Sequence, residues 1–440
     1  MTSLTTVLAK AEHLALPTLE EKEWISSIAK SLLVKTRKAA ARFPEARGVV
    51  LGGSFAKGTW LPAYVDLDIF VKIDPSTSED DFERVGLDVG NIATRGHPKG
   101  KKFAQHPYTE ATVSGVRVNI VPCFDVKQGE WKSAADRSPF HVELIDGMPE
   151  RNKTQVRILK LFMNGVGVYG AEIQKQGFSG YVAEVLILRH KSFVPVLEWF
   201  ASRAQLGEGK PFSLADPVDE RRDLGTAVSG ESLGRMVLAS REFLRRPDLA
   251  FFREMQAKSR PSLRGDVVAV VFSHGPLSED TLWGELRKTS RHIVRHLQVQ
   301  GFAIARCMAA SDNNSRSAIL LIPEFDVLPS MEQRVGPTVD RRKDVEAFIA
   351  TNAEDSRLVW VDDEARVRLL RPRRYTQLDK LLKDIARGRS GPIGASRELE
   401  AGMIRSASVL HGAALARAAS SAKWLRDGIR EITSDAIGTR

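Results

Sequence analysis

The chain is poor in cysteine: two in 440 residues, Cys123 and Cys307, far apart in the sequence. That excludes a disulfide framework and a cysteine-built zinc site, and it reads as two reduced, buried thiols of a cytosolic protein. Long apolar runs are also missing, and nothing approaches the ~18 residues that a membrane-crossing helix needs. The opening MTSLTTVLAKAEH lacks the apolar core of a signal peptide. These absences set the expectation of a cytoplasmic protein with no membrane partner. No internal repeat and no long low-complexity tract is found.

What is present is a globular composition, 42% hydrophobic and 27% charged. The length exceeds one ordinary domain, so two to four are expected. A formal net charge of +10 favours a polyanionic partner.

Residues 18–42 have the pattern of an amphipathic helix. Thr18 and Glu21 make a capping box, and Trp24, Ile25, Ile28 and Leu32 form the apolar stripe. A short strand over 49–51 and a Gly-Gly-Ser turn follow, then a strand over 66–71 and an acidic loop, PSTSEDD. The basic stretch RGHPKGKK leads to a hairpin, ATV and VRVNIV joined by Ser114-Gly115. Residues 150–205 are mostly helical, and 228–257 predict one more helix. From about 263, strand-like runs (VVAVVF, FAIARCMA, SAILLIPEF) alternate with helices, and the chain closes on an Ala- and Arg-rich helix.

The most informative stretch is VVLGGSFAKGTWLPAYVDLDIFVK, residues 49–72. Alternate strand residues share a face, so Asp66 and Asp68 project together while Leu67 and Ile69 enter a core. Two carboxylates facing a turn rich in backbone N–H groups can hold a divalent metal and a polyphosphate, the parts that phosphoryl transfer requires.

This segment resembles the signature of the polymerase-β-like nucleotidyltransferases: Gly-Ser, a spacer of about ten residues, then acid-apolar-acid. The wording GSFAKGTWLP resembles the archaeal-type (class I) CCA-adding enzymes, tRNA nucleotidyltransferases that build the 3′ CCA end of tRNA from CTP and ATP without a nucleic-acid template, releasing pyrophosphate. The resemblance runs from about residue 18 to 385. It implies an α+β multidomain chain: a nucleotidyltransferase head over residues 1–140, a helical neck over 141–260, and an α/β body and tail over 261–440.

The resemblance also implies roles. Gly53, Ser54 and Lys57 would meet the triphosphate, with Lys57 standing where the family usually has Arg. Asp66 and Asp68 would ligate magnesium, Mg2+, as two ions. The family's third carboxylate lies in a Val-Asp-Ile-Val-Pro-like strand. Here the strand reads Val118-Asn119-Ile120-Val121-Pro122, and Asn119 takes the catalytic and metal-binding slot. Asparagine offers one carbonyl oxygen and no charge. Three readings stay open: a working enzyme that tolerates Asn119, a catalytically impaired tRNA-binding homologue, or a contribution from Asp125.

His106 and His141 resemble residues that contact the incoming nucleotide, Lys160 and Tyr169 resemble a triphosphate clamp, and the block QGFSGYVAEVLI follows in the family's order. In DPVDERRD, Arg222 stands where the family reads the base edge, with Arg221 as a rival and Asp223 in place of Asn. Arg306, Arg334, Arg341, Arg342, Arg373 and Arg374 are candidate contacts to the acceptor stem and TΨC arm of tRNA, about half of them expected to touch phosphate. A homodimer is left open by the sequence.

Overall fold

The computed structural model describes residues 3–103, 105–203, 212–253, 266–352 and 354–434. They divide into two compact units, residues 3–253 and residues 266–434.

The first unit opens with α1 (Leu4–Ala15), α2 (Leu19–Ala40), β1 (Ala46–Gly52), the one-turn α3 (Gly53–Ala56), β2 (Asp66–Ile73) and α4 (Glu79–Ala93). The strands β3 (Lys99–Phe103), β4 (Pro107–Val113) and β5 (Val116–Phe124) complete a sheet of order β1-β2-β5-β4-β3. Only β2 and β5 run parallel.

The capping box forms: Glu21 N–H donates to Thr18 Oγ1 (3.1 Å) and Thr18 N–H to Glu21 Oε2 (2.7 Å). The buried stripe of α2 is Ile25, Ile28, Ala29 and Leu32. Trp24 was expected in it but lies at its rim, 48% exposed. The acidic EDD of the expected loop is instead the first turn of α4, capped by Ser78, where carboxylates complement the helix dipole. The basic stretch supplies the lysine-rich edge strand β3, a composition that discourages edge pairing. Ser114 and Gly115 both take positive φ, 51° and 81°, as a tight two-residue hairpin turn demands.

Alternation then sorts the sheet. Leu67, Ile69, Val71, Val118 and Ile120 form a buried core with Ile25, Ile28 and Leu32 of α2 and Phe82, Val85 and Val89 of α4. The polar residues between them face the other way.

The helices α5 (Ser138–Asp146), α6 (Glu150–Gly165), α7 (Gly180–His190), α8 (Phe193–Ala201) and α9 (Gly230–Arg245) share a second core. Val7, Ala11 and Ala15 of α1 belong to this core, so the helical part draws its first helix from the very start of the chain. The helix expected over 228–257 is shorter. It ends at Arg245, before Pro247, because the residue preceding a proline is pushed out of the helical region. A single 3-10 turn, Leu249–Phe252, then seats Phe251 and Phe252 against Phe162.

The second unit holds β6 (Val268–Ser273), α10 (Glu279–Val299), β7 (Ile304–Ser311), β8 (Arg316–Pro323), β9 (Met331–Thr338), α11 (Arg342–Asn352), β10 (Leu358–Val361), β11 (Arg366–Pro372) and α12 (Leu378–Ala386). The expected terminal helix is broken into α13 (Arg397–Ser406), β12 (Ser408–His411), α14 (Gly412–Ser421) and α15 (Lys423–Ile432). β12 pairs with β6 and so extends one sheet to β12-β6-β8-β7, beside a smaller sheet β10-β11-β9. Gly412, at φ +52°, turns the chain out of that strand.

Both cysteines are free thiols. Cys123 is buried as expected, whereas Cys307 is only half-buried. Among the described residues, no helix is long and apolar enough to cross a membrane.

Candidate active site

The polar face of the first sheet brings the sequence-predicted carboxylates together. In the parallel ladder Asp66 pairs with Arg117 and Asp68 with Asn119. Asn119 pairs in turn with Glu110 of β4, and on the other side Gly52 pairs with Asp68. Asn119 Nδ2 donates to Asp68 Oδ1 at 2.9 Å, while Asn119 Oδ1 is buried with no hydrogen-bond partner among the described residues. Burial holds the Asp68 carboxyl above its usual range, and the bond from Asn119 opposes this only in part.

Gly53 sits over this row at φ +65°, and a Cβ there would fall 1.9 Å from Asp68 Oδ2. The Gly-Gly-Ser segment is therefore packed against the carboxylate by necessity. Ser54 lies in α3, half-buried, its carbonyl accepting from Thr59 N–H at 2.9 Å.

Arg117, on this face, was among the residues the sequence reading missed. Arg117 grips Asp66 with both arms of its guanidinium, Nε donating to Oδ1 at 2.8 Å and a terminal nitrogen to Oδ2. That grip raises the Arg117 pKa further. The signal was available, since Arg117 is two residues from Asn119 on one strand and must share its face.

The oxygens present fit a hard divalent cation: the Asp68 carboxylate, the Asp66 carboxylate that Arg117 holds, and a buried carbonyl oxygen with no hydrogen-bond partner among the described residues. Asp125 does not join them. It lies beyond the far end of β5, roughly 20 Å along the strand from Asn119 at about 3.3 Å per residue, and pairs with Lys72 at 2.7 Å.

Beside this row, α6 and α7 close over the loop after α3. Lys57 Nζ lies 2.6 Å from Glu184 Oε2, and Lys160 Nζ 2.8 Å from Glu184 Oε1. Lys160 also donates to Thr59 O (3.1 Å) and Thr59 Oγ1 (3.0 Å), which uses all three of its N–H groups. Glu184 is fully buried. Burial pushes its carboxyl up, but Lys160 and Lys57 more than offset this and bring it down to about 2. Glu184 was also missed, although a lone acid inside the apolar run YVAEVLIL was its signature. Tyr169 is near both groups: burial raises its hydroxyl pKa, and the charges of Glu184 and Asp66 add to it.

His141 and Arg222 meet at a shared carboxylate. His141 Nε2 is 3.0 Å from Asp216 Oδ2, Arg222 reaches the same oxygen at 3.2 Å, and Tyr181 donates to Oδ1 at 2.8 Å. The His141 ring stacks on Tyr181 with centroids 3.8 Å apart. Burial pushes the imidazole below its usual pKa, although the bond to Asp216 works the other way. Arg221 points elsewhere, toward Asp219 at 3.5 Å, and Asp223 caps the turn that follows by accepting from Gly225 N–H.

His106 is not brought into this group. Its ring meets Phe82 edge-on, and Nδ1 lies 3.3 Å from Glu83. Phe82 and Glu83 belong to α4, which covers the opposite face of the sheet. A histidine next to a helix carrying two acids is drawn to them, and Glu79 and Glu83 with His106 form a compact surface cluster.

In the second unit the six arginines separate. Arg306 donates to the carbonyls of Ile432 and Ser434 (2.7 and 2.9 Å), capping α15. Arg373 donates to Gln300 O and Glu332. Arg334 is half-exposed beside Glu332. Arg341 and Arg342 are exposed and, among the described residues, pair with the i,i+3 and i,i+4 carboxylates, and Arg374, also exposed, lies over the Tyr375 ring.

Comparison with known proteins follows the same division. A nucleotidyltransferase domain family matches residues 33–141, the second domain of tRNA nucleotidyltransferases matches 154–253, and the C-terminal domain of CCA-adding enzymes matches 264–402. The chain is 33% identical to the CCA-adding enzyme of Pyrobaculum neutrophilum, over 87% of this chain and 94% of that protein. It is 32% identical to that of Halorubrum lacusprofundi, over 91% and 93%. The chain belongs to the CCA-adding enzymes, tRNA nucleotidyltransferases of the archaeal type.

Proposed function

We propose that this chain adds C, C and A to the 3′ end of tRNA, with Asn119 a tolerated member of the metal face. The observation that carries this reading is the row Asp68–Asn119 beneath Gly53, with the unpartnered Asn119 Oδ1 available as an oxygen donor. Asp66, Asp68 and Asn119 would hold Mg2+, as two ions, which would supply charge neutralisation at the triphosphate and lower the pKa of the tRNA 3′-hydroxyl.

The residues divide the remaining work. Gly53 and Ser54 let the backbone approach the triphosphate, and Lys57 and Tyr169 flank it. Lys160 acts through Thr59 and Glu184, since its donors are already taken, and so fixes the loop that carries Lys57. Arg222 and His141, locked to Asp216, present planar groups to the base of CTP or ATP. The tRNA 3′-oxygen attacks the α-phosphorus, the bond to the β-phosphate oxygen breaks, and pyrophosphate leaves. Arg334, Arg341, Arg342 and Arg374 contact phosphates of the acceptor stem and TΨC arm. The head, neck and C-terminal division at residues 140 and 260 belongs to the same reading, as does a cytoplasmic location.

The test is incubation with Mg2+, CTP, ATP and a tRNA ending at the discriminator base, beside an Asn119→Asp variant. Addition of CCA by the parent chain supports the reading. Addition by the variant alone favours a catalytically impaired tRNA-binding homologue, and addition by neither overturns it.

A further inference from the structure

Asn119 removes a negative charge from a face that binds a divalent cation, and a neutral carbonyl oxygen supports Mg2+ less well than a carboxylate. The next strand carries a charge in the right row. Glu110 stands directly opposite Asn119 in the antiparallel ladder, and Asn119 directly opposite Asp68 in the parallel one. Residues paired in register share a face. Asp68, Asn119 and Glu110 therefore form one line across three strands, each strand about 4.8 Å from the next. Asn119 lies in the middle of that line, and its buried Oδ1 has no hydrogen-bond partner among the described residues.

Glu110 itself is half-buried and makes no hydrogen bond or short ion pair among the described residues. It is nevertheless inside the electrostatic neighbourhood of the site: Asp66, Glu110 and Asp68 all act on the Arg117 guanidinium. Glutamate is one methylene longer than aspartate, which lets a carboxylate rooted one strand further out reach back over the middle position. The face thus keeps three acids, with the third moved from β5 to β4.

We propose that Glu110 is a ligand of the divalent cation in this chain and supplies the carboxylate that Asn119 lacks. The proposal rests on the reading of Asp66, Asp68 and Asn119 as the metal face.

The test measures Mn2+ binding to the full-length chain by electron paramagnetic resonance, without tRNA, in the parent, Glu110→Gln, Asn119→Asp and the double variant. Glu110→Gln is nearly isosteric at a half-exposed position, and its thermal melt without metal should match the parent's. It should weaken Mn2+ binding by about tenfold or more, the scale typical of residues that tune a metal site. Adding Asn119→Asp to it should return the affinity to the parent's level or above. Parent-like Mn2+ binding by Glu110→Gln overturns the proposal, as does a loss that Asn119→Asp fails to rescue, or a parent that binds no Mn2+. The outcome is separable from CCA addition. Weakened Mn2+ binding in Glu110→Gln with no CCA addition by the parent keeps the ligand and discards the function, and the converse pair of results does the reverse.

Discussion

Asn119 hands its amide to Asp68 across 2.9 Å, and its own carbonyl oxygen stays buried without a partner among the described residues. The amide half steadies a carboxylate whose pKa burial already raises. An aspartate at position 119 would instead set a second negative charge beside it. Asn119→Asp is therefore expected to change sign with metal. Without metal it should cost about 1–3 kcal/mol, the usual cost of leaving a buried polar group without its donor. With saturating Mg2+ the melting temperature should rise above the parent's, because ligand binding to the folded state stabilises it. Melting curves in EDTA and in Mg2+ check this, and an unchanged order in both conditions would sink it.

Gly53 is the position at which the loop and the metal face are inseparable. An alanine Cβ would sit 1.9 Å from Asp68 Oδ2, and the backbone is at φ +65°. Gly53→Ala should displace Asp68 or the loop, abolish nucleotide incorporation and cost about 1–3 kcal/mol in stability. Gly48→Ala, where a Cβ meets nothing within 4 Å, is the control that should leave both unchanged. Urea titration and an incorporation assay on the two variants read the difference.

Much of the head was legible because its signals are local. The capping box of α2, the hairpin turn at Ser114-Gly115 and the shared face of Asp66 and Asp68 all follow from spacing within a few residues. Asn119 was placed by resemblance, and the parallel register then put it opposite Asp68. What escaped was partner choice over long separations. Glu184 is 127 residues from Lys57, and nothing in either segment announces the pair. Asp216 likewise collects His141 from 75 residues away. His106 stands apart from the other candidates because it lies in the bend before β4, where the chain is free to turn, and two acids on α4 draw its ring. The terminal Ala/Arg segment reads as helix locally, and only pairing with β6 converts Ser408–His411 to strand.

Glu184 balances two lysines in a region closed to water. Glu184→Gln leaves Lys57 and Lys160 without a counter-charge and should destabilise the first unit by about 3–5 kcal/mol, the range for breaking a buried ion pair by removing one partner. The same carboxyl predicts acid behaviour. It is held down from 4.5 to about 2 in the folded protein, so the unfolded chain binds the proton first. Its contribution is full above about pH 4.5 and is lost as pH falls toward 2. Denaturant midpoints measured across that window should fall more steeply for the parent than for Glu184→Gln. Parallel curves would contradict the assignment.

The arginines of the second unit should fail in two different ways when removed. Arg306 spends its guanidinium on the carbonyls of Ile432 and Ser434. Arg306→Ala therefore leaves helix-end acceptors unsatisfied and should lower the stability of that unit, by about 1–3 kcal/mol, with the salt dependence of tRNA binding unchanged. Arg342 is 88% exposed and, among the described residues, pairs with Glu346 on its own helix, an interaction worth about 0.3–0.5 kcal/mol. Arg342→Ala should leave the melting temperature alone and weaken tRNA binding, reducing the slope of log K against log salt by about one. Because phosphate contacts release counterions and a helix cap does not, the two variants separate folding from binding in one pair of titrations. A stability loss in Arg342→Ala with an unaltered salt slope would remove Arg342 from the RNA contacts.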